Sequence, residues 1–307
     1  MRKNAQTDKS VLLFPLNNGG AGHFYHYMLG YLMPIVISPD RVPGRVSVVS
    51  VGLLDRITRE VFADEVDIVQ QPTIAAQDYP RLRDRLNKLL GGFFLKRFII
   101  RPIVKRAMSS ALKEYKPGRL VMLDTFDNPL RYQSEEISVF RDFVEKRLAD
   151  RIETLKQSVD KPDILLIDRA PPHSHYADVG RSSGSQRRSI PNINSLCELL
   201  NQHRKTEIFH LEDKDLALQI AAFSEANVVV AQHGAALTNI IWMRPGSLVV
   251  EVIPPNKVPA TPRHEYFSLL AEVMNIRHQY IFQDHDHAGL TAAQMQQIES
   301  VLGQEKA

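Results

Sequence analysis

The residues of this chain that could handle a phosphorylated ligand cluster at the ends of aliphatic runs. His233 and Gly234 come just after the run Val228–Ala231. An imidazole and the free N–H groups of a following helix can meet a phosphate or a leaving group, and Thr238 and Asn239 would add hydrogen bonds. The same dipeptide also suits a plain strand-to-helix turn, in which Gly234 permits tight geometry and His233 caps a carbonyl. Arg169 follows the run Ile164–Ile167, and Arg187 and Arg188 end a loop just before a helix. Converging guanidinium groups neutralise a diphosphate without a metal; the alternative is a solvated loop. Glu251 interrupts aliphatic residues at the end of another run. It is either an exposed strand tip or a hydrogen-bonding partner of a ribose. His23 and His26 lie one helical turn apart after Asn17-Asn18-Gly19-Gly20. Such a histidine is either a general base toward an acceptor hydroxyl or a packed imidazole. Asp124 ends a strand-like run and, with Asp127, offers a carboxylate or a turn cap.

The elements that must position these groups alternate regularly. Val11–Leu16, Val46–Val51, Val66–Gln70 and Leu120–Leu123 read as strands of a first half. A helical pattern runs from about His23 to Ile35, and Ser134 to Asp160 reads as one long helix closing that half, with Glu135 and Glu136 in its first turn. In the second half Ile164–Ile167, Glu207–His210, Val228–Ala231, Leu248–Ile253 and His278–Phe282 read as strands. Helices are expected near 192–202, 214–224, 236–243 and 262–274, and a terminal one over 291–302. Alternation of this kind implies right-handed βαβ units on parallel sheets. The expected class is therefore α/β, with two Rossmann-like halves joined near residue 160 and the candidate residues at carboxyl ends of strands, where open α/β sheets bind ligands.

Composition narrows the classes further. The 307 residues are 44% hydrophobic and 24% charged, an ordinary globular balance. No apolar run approaches the ~18 residues of a membrane-spanning helix, and the N-terminus lacks a signal-peptide layout. The single cysteine, Cys197, excludes an intrachain disulfide and a Cys-rich zinc site. A cytoplasmic protein is expected. Arg81–Arg119 carries twelve Lys/Arg against two acids, with Leu86, Leu89, Leu90, Phe93, Phe94, Phe98 and Ile99 at helical spacing. Such a stretch suits an anionic membrane surface or a core-facing helix with a solvated face; no nucleic-acid module accompanies it. Asp284–His287 and the pair His173/His175 show no metal-ligand spacing, so no metal site is expected.

The segment His233-Gly234-Ala235-Ala236-Leu237-Thr238-Asn239, then Arg244-Pro245-Gly246-Ser247, then Glu251, resembles the signature of glycosyltransferase family 61. Upstream, Asp168-Arg169 and Arg187-Arg188-Ser189-Ile190-Pro191-Asn192 resemble that family's arginine-bearing segments, and His23-Phe24-Tyr25-His26 is similar to its N-terminal aromatic–histidine segment. The main match spans about residues 163–254. Ala236 stands where the family has a second glycine, and Asn192 lacks the family's following glutamate. The resemblance implies a GT-B architecture, two Rossmann-like domains facing a cleft. It also implies inverting transfer from a nucleotide-sugar without an obligatory metal or other cofactor. On that reading residues 161–290 hold the donor, through Arg169, Arg187, Arg188, Gly234, Ala235, Thr238, Asn239 and Glu251, with His233 at the leaving group. Residues 1–160 hold a glycan or lipid-linked acceptor, with His26 or Asp127 as base, and the product is a surface polysaccharide made at the inner face of the membrane. A non-catalytic nucleotide-sugar-binding or scaffold protein of the same pathway, and an α/β enzyme such as an epimerase acting on phosphorylated sugars, are the competing expectations.

Overall fold

The computed structural model of the chain describes residues 11–15, 23–41, 46–69, 119–123, 132–158, 161–171, 184–212, 214–254 and 265–303. The chain forms two compact units. Met1–Gly22 and Leu29–Asp127 make up the first, and His23–Met28 with Asn128–Ala307 the second. Asp124, Asp127, the turn after the first strand, nearly all of the basic stretch Arg81–Arg119 and the pair His173/His175 lie outside the described residues.

The first unit holds a parallel sheet of β1 (Val11–Pro15), β2 (Val46–Val49), β3 (Val66–Val69) and β4 (Arg119–Leu123), in the order β3-β2-β1-β4. The Val-Ser-Val-Val run of β2 is buried throughout, as a strand covered on both faces should be. The expected helix over 23–35 is present but not uniform. Phe24–Tyr27 (α1) belongs to the second unit; the chain then makes a π-helical turn, Met28–Leu32, and continues as α2 (Met33–Ile37), which packs on β1. After β2 comes α3 (Asp55–Phe62). The buried carboxylate of Asp55 accepts from the Ser50 hydroxyl and from the Val51 N–H, and so ties the β2–α3 turn.

The second unit is a five-stranded parallel sheet of β5 (Ile164–Asp168), β6 (Thr206–His210), β7 (Val228–Gln232), β8 (Leu248–Ile253) and β9 (Arg277–Phe282), in the order β6-β5-β7-β8-β9. Ahead of β5 runs α4 (Ser134–Ser158); between the strands come α5 (Gly184–Arg187), α6 (Ile193–Asn201), α7 (Leu216–Glu225) and α8 (Tyr266–Val273), and α9 (Ala292–Gly303) follows β9. One face of the sheet, with Ile164, Leu166, Val228, Val230, Val250 and Val252, packs on Leu196 and Leu200 of α6 and on Ile298 and Leu302 of α9. Alternate side chains of a strand point to opposite faces, so Glu251 lies on the other side. The β7–β8 connection is a 3-10 helix, Ala235–Trp242, rather than an α-helix, and Leu237 through Trp242 are all buried. Trp242 is fixed by a ring contact with Phe140 of α4 at 5.9 Å.

Two boundaries differ from the sequence expectation. The unit border falls after Asp127 rather than near residue 160, because the apolar stripe of α4 (Ile137, Phe140, Val144, Leu148, Ile152) packs in the second unit, against α7 and the 3-10 helix. His23–Met28, expected in the acceptor-side half, is part of the second unit for the same kind of reason: α1 packs on the 3-10 helix. Among the described residues no helix is long and apolar enough to cross a membrane.

Candidate functional site

The carboxyl ends of β5, β7 and β8 bring most of the candidate residues together. His233 follows β7 directly, and its N–H continues the ladder by donating to the Val252 carbonyl at 2.8 Å. Its own carbonyl accepts from two guanidinium groups, Nη2 of Arg169 at 2.9 Å and Nη1 of Arg188 at 2.8 Å. Arg169 comes from the end of β5, and Arg188 from the segment just after α5. Arg188 is only 6% exposed and also donates through Nε to Asp286 at 3.0 Å. Two cations thus meet beside the start of the 3-10 helix, where partial positive charge of the backbone already collects. Arg187 ends α5.

Gly234 is the residue this approach requires. A Cβ there would stand 1.9 Å from Nη2 and 3.1 Å from Cζ of Arg169. The φ of Gly234 is 165°, ordinary extended backbone; the need is for space, not for a left-handed conformation. Gly234, Ala235 and Ala236 are half-buried, whereas the residues on both sides of them are buried. The turn is therefore where the strand end opens. Thr238 and Asn239 are not part of that opening. Both are fully buried: Thr238 donates its hydroxyl to the Ala235 carbonyl at 2.7 Å, and Asn239 bridges Gln219 and the Trp242 indole. Their hydrogen-bonding capacity is directed into the fold, where it holds the 3-10 helix.

Glu251 sits at 0% exposure in the middle of a relay. Its Oε1 is hydrogen-bonded to Nδ1 of His233, and its Oε2 to Nε2 of His278 at 2.8 Å. Burial alone would raise the carboxyl's pKa, but the hydrogen bonds and charge of His233 and His278 outweigh it and hold the group below its ordinary value. The ionised carboxylate can only accept, so both imidazoles donate to it, His233 through Nδ1–H and His278 through Nε2–H. The reading of Glu251 as a ribose contact therefore meets a carboxylate whose two oxygens are both engaged by imidazoles. His278 carried no expectation from the sequence. Glu251 pairs in register with Tyr280 of β9, and His278, two residues earlier, shares that sheet face.

His26 reaches the same unit by way of an aromatic chain. Its ring meets that of Tyr25 at 5.1 Å, Tyr25 meets Phe267 at 5.7 Å and Tyr266 at 5.8 Å, and Phe267 meets His233 at 5.6 Å, all edge-on. The Tyr25 and Tyr132 hydroxyls are hydrogen-bonded at 2.7 Å. Burial raises the pKa of both phenols, so both stay protonated. Burial, with the nearby His23, lowers His26 to about 4. At neutral pH His26 is an uncharged imidazole, the form that can accept a proton.

Asp286, from a stretch in which the sequence offered two histidines and two acids, is the carboxylate partner of Arg188. Its neighbour His287 is hydrogen-bonded through Nδ1 to the Ser189 hydroxyl at 3.1 Å. Residues missed by sequence reasoning are His278, Phe267 and Tyr132. Each looks ordinary in its own element, and only sheet register or ring contact connects it to His233.

Residues 24–250 match the family model described as Glycosyltransferase 61, which covers well over half of the chain and takes in Arg169, Arg188, His233 and Gly234. Among curated proteins none matches the chain.

Proposed function

The chain belongs to the glycosyltransferase 61 family, and on that premise we propose that it transfers a sugar, with inversion, from a nucleotide-sugar to a glycan or lipid-linked acceptor. The observation that carries the reading is the pair of guanidinium groups converging on the His233 carbonyl, beside a glycine turn whose missing Cβ leaves the space that the Arg169 guanidinium occupies. A departing nucleoside diphosphate gains negative charge as the bond from the anomeric carbon to its oxygen breaks. Arg169, Arg188, the first amides of the 3-10 helix and His233, as an imidazolium donating through Nε2–H, are the groups to meet that charge, in place of an obligatory metal. The acceptor hydroxyl oxygen forms the new bond at the anomeric carbon, and its proton passes to a base. His26, neutral at physiological pH, is the described candidate; Asp127 is the other.

The two parallel sheets suit a GT-B architecture, in which Rossmann-like domains serve donor and acceptor separately. Attachment to the inner face of an anionic membrane through Arg81–Arg119, in the synthesis of a surface polysaccharide such as a capsule, completes the reading; it rests on the charge of that stretch.

Titration calorimetry of the purified chain against UDP-, GDP- and CMP-sugars tests it, with product analysis after addition of glycan acceptors. One nucleotide class should bind, and Arg188→Ala should weaken it about tenfold or more, since hydrogen bonds to charged groups contribute roughly 1.5–3 kcal/mol. In a parallel arm the chain should sediment with anionic vesicles at low salt and be released at high salt. Binding without donor hydrolysis or transfer would instead identify a carrier or scaffold, and no binding at all would end the proposal.

A further inference from the structure

The sheet places an imidazole, that of His278, behind the carboxylate that holds His233. We propose that His278 is a positioning residue for transfer: by holding Oε2 of Glu251 it keeps Oε1 on the Nδ1–H of His233, so that Nε2 is the ring nitrogen presented to the leaving diphosphate. The inference rests on the reading of His233 given above, but the hydrogen-bond relay can be tested apart from it.

The geometry is over-determined at each link. Glu251 has no exposure, so water cannot replace a lost partner. The His278 side chain is 8% exposed, and its ring is held edge-on against Tyr280 at 4.5 Å. The Tyr280 hydroxyl is in turn hydrogen-bonded to Ser268 of α8 at 3.1 Å. On the far side, Phe267 of the same helix packs on the His233 ring. One helix thus braces both ends of the relay. Without His278, Oε2 would be a buried acceptor lacking its hydrogen bond, and the carboxyl would gain a reason to take up a proton. A protonated Glu251 can donate from the oxygen facing His233, which inverts the hydrogen bond: Nδ1 gives up its proton, and the ring loses the positive charge that the carboxylate supports. The imidazole facing the ligand would then be neutral, with every donor-binding arginine still in place. A residue that merely packed would not move that proton.

The test uses the full chain with ¹⁵N-labelled histidine side chains, read by long-range nitrogen–proton correlation and assigned by the single substitutions His233→Asn and His278→Gln. In the unaltered protein His278 should carry its proton on Nε2 and His233 should carry one on Nδ1. In His278→Leu the His233 nitrogens should shift. In His278→Gln, whose amide can donate to Glu251 from nearly the same place, they should return toward their original positions. For whichever sugar nucleotide of the panel is consumed, His278→Leu should lower kcat tenfold or more and leave KM within about threefold, with His278→Gln recovering most of the loss. Finding His278 unprotonated on Nε2 in the unaltered chain would overturn the proposal, and so would an unmoved His233 in His278→Leu. The first of these is read in the unaltered chain, and needs only the conservative His278→Gln variant for assignment. A chain that consumes no sugar nucleotide but shows the expected tautomers would sink the transfer reading and leave the relay standing.

Discussion

His26 and Glu251 both titrate below their ordinary values, for different reasons. His26 is neutral because burial and a neighbouring imidazole make its cation unfavourable. Glu251 stays ionised because two imidazoles overcome its burial. The consequence for His26 has a definite sign. With a folded pKa near 4 against 6.5 in the unfolded chain, the unfolded state binds more protons throughout that interval. The contribution of a neutral His26 is therefore complete above pH 6.5 and is lost progressively as the pH falls toward 4. Glu251 adds its own loss at the acidic end, as the pH falls through and below the ordinary carboxyl range. In His26→Phe the fall in Tm between pH 6.5 and 4.5 should be smaller than in the unaltered protein by at least about 2 °C. Thermal unfolding across that range, followed by circular dichroism, decides it. An identical slope in both proteins would mean that His26 is not held neutral by the fold.

The 3-10 helix after Gly234 shows how an element holds the turn. Its apolar residues are buried, but its fastening is polar: Asn239 donates to Gln219 at 3.0 Å and accepts from the Trp242 indole at 3.2 Å. Asn239→Ala would strand a buried N–H and a buried amide oxygen. At roughly 1–3 kcal/mol for each unsatisfied buried group, about 2–6 kcal/mol of stability should be lost. In urea the midpoint should fall with the slope unchanged; a loss below about 1 kcal/mol would mean that the bridge is incidental. At this scale much was legible beforehand. Aliphatic runs located most of the described strands within a residue or two, because doubly covered parallel strands have few other compositions; the edge strands β6 and β9 are more polar and partly exposed. The π-turn at Met28–Leu32 and the 3-10 form of Ala235–Trp242 were not legible, since an apolar run of that length is compatible with several helical geometries. Glu251 was conspicuous as an acid among aliphatics. Its purpose was hidden, because its partners lie 18 and 27 residues away and meet it only through sheet register. His278 lies on β9, where exposed and partly buried positions alternate, and nothing local distinguishes it.

For the whole molecule, the division into units reassigns a long helix, and sequence periodicity could not have done so. The buried stripe of α4 says that the helix must cover something; it does not say which sheet. Ile137, Phe140, Val144, Leu148 and Ile152 are each 6% exposed or less, and they pack in the second unit. At roughly 1.5–3 kcal/mol for each buried large apolar side chain, their removal costs on the order of 10 kcal/mol as an upper bound. That is comparable to the whole stability of an ordinary domain, about 5–15 kcal/mol. Two fragments separate the alternatives. Asn128–Ala307 retains α4 and should be soluble, with a cooperative thermal transition below that of the full chain, because it lacks the α1 residues that pack on the 3-10 helix. A fragment of residues 161–307 exposes the faces of α7 and Trp242 that α4 covers; it should aggregate or unfold without cooperativity. Equal solubility and equal transition temperatures in the two fragments would return the border to residue 160 and make α4 an accessory of the first unit.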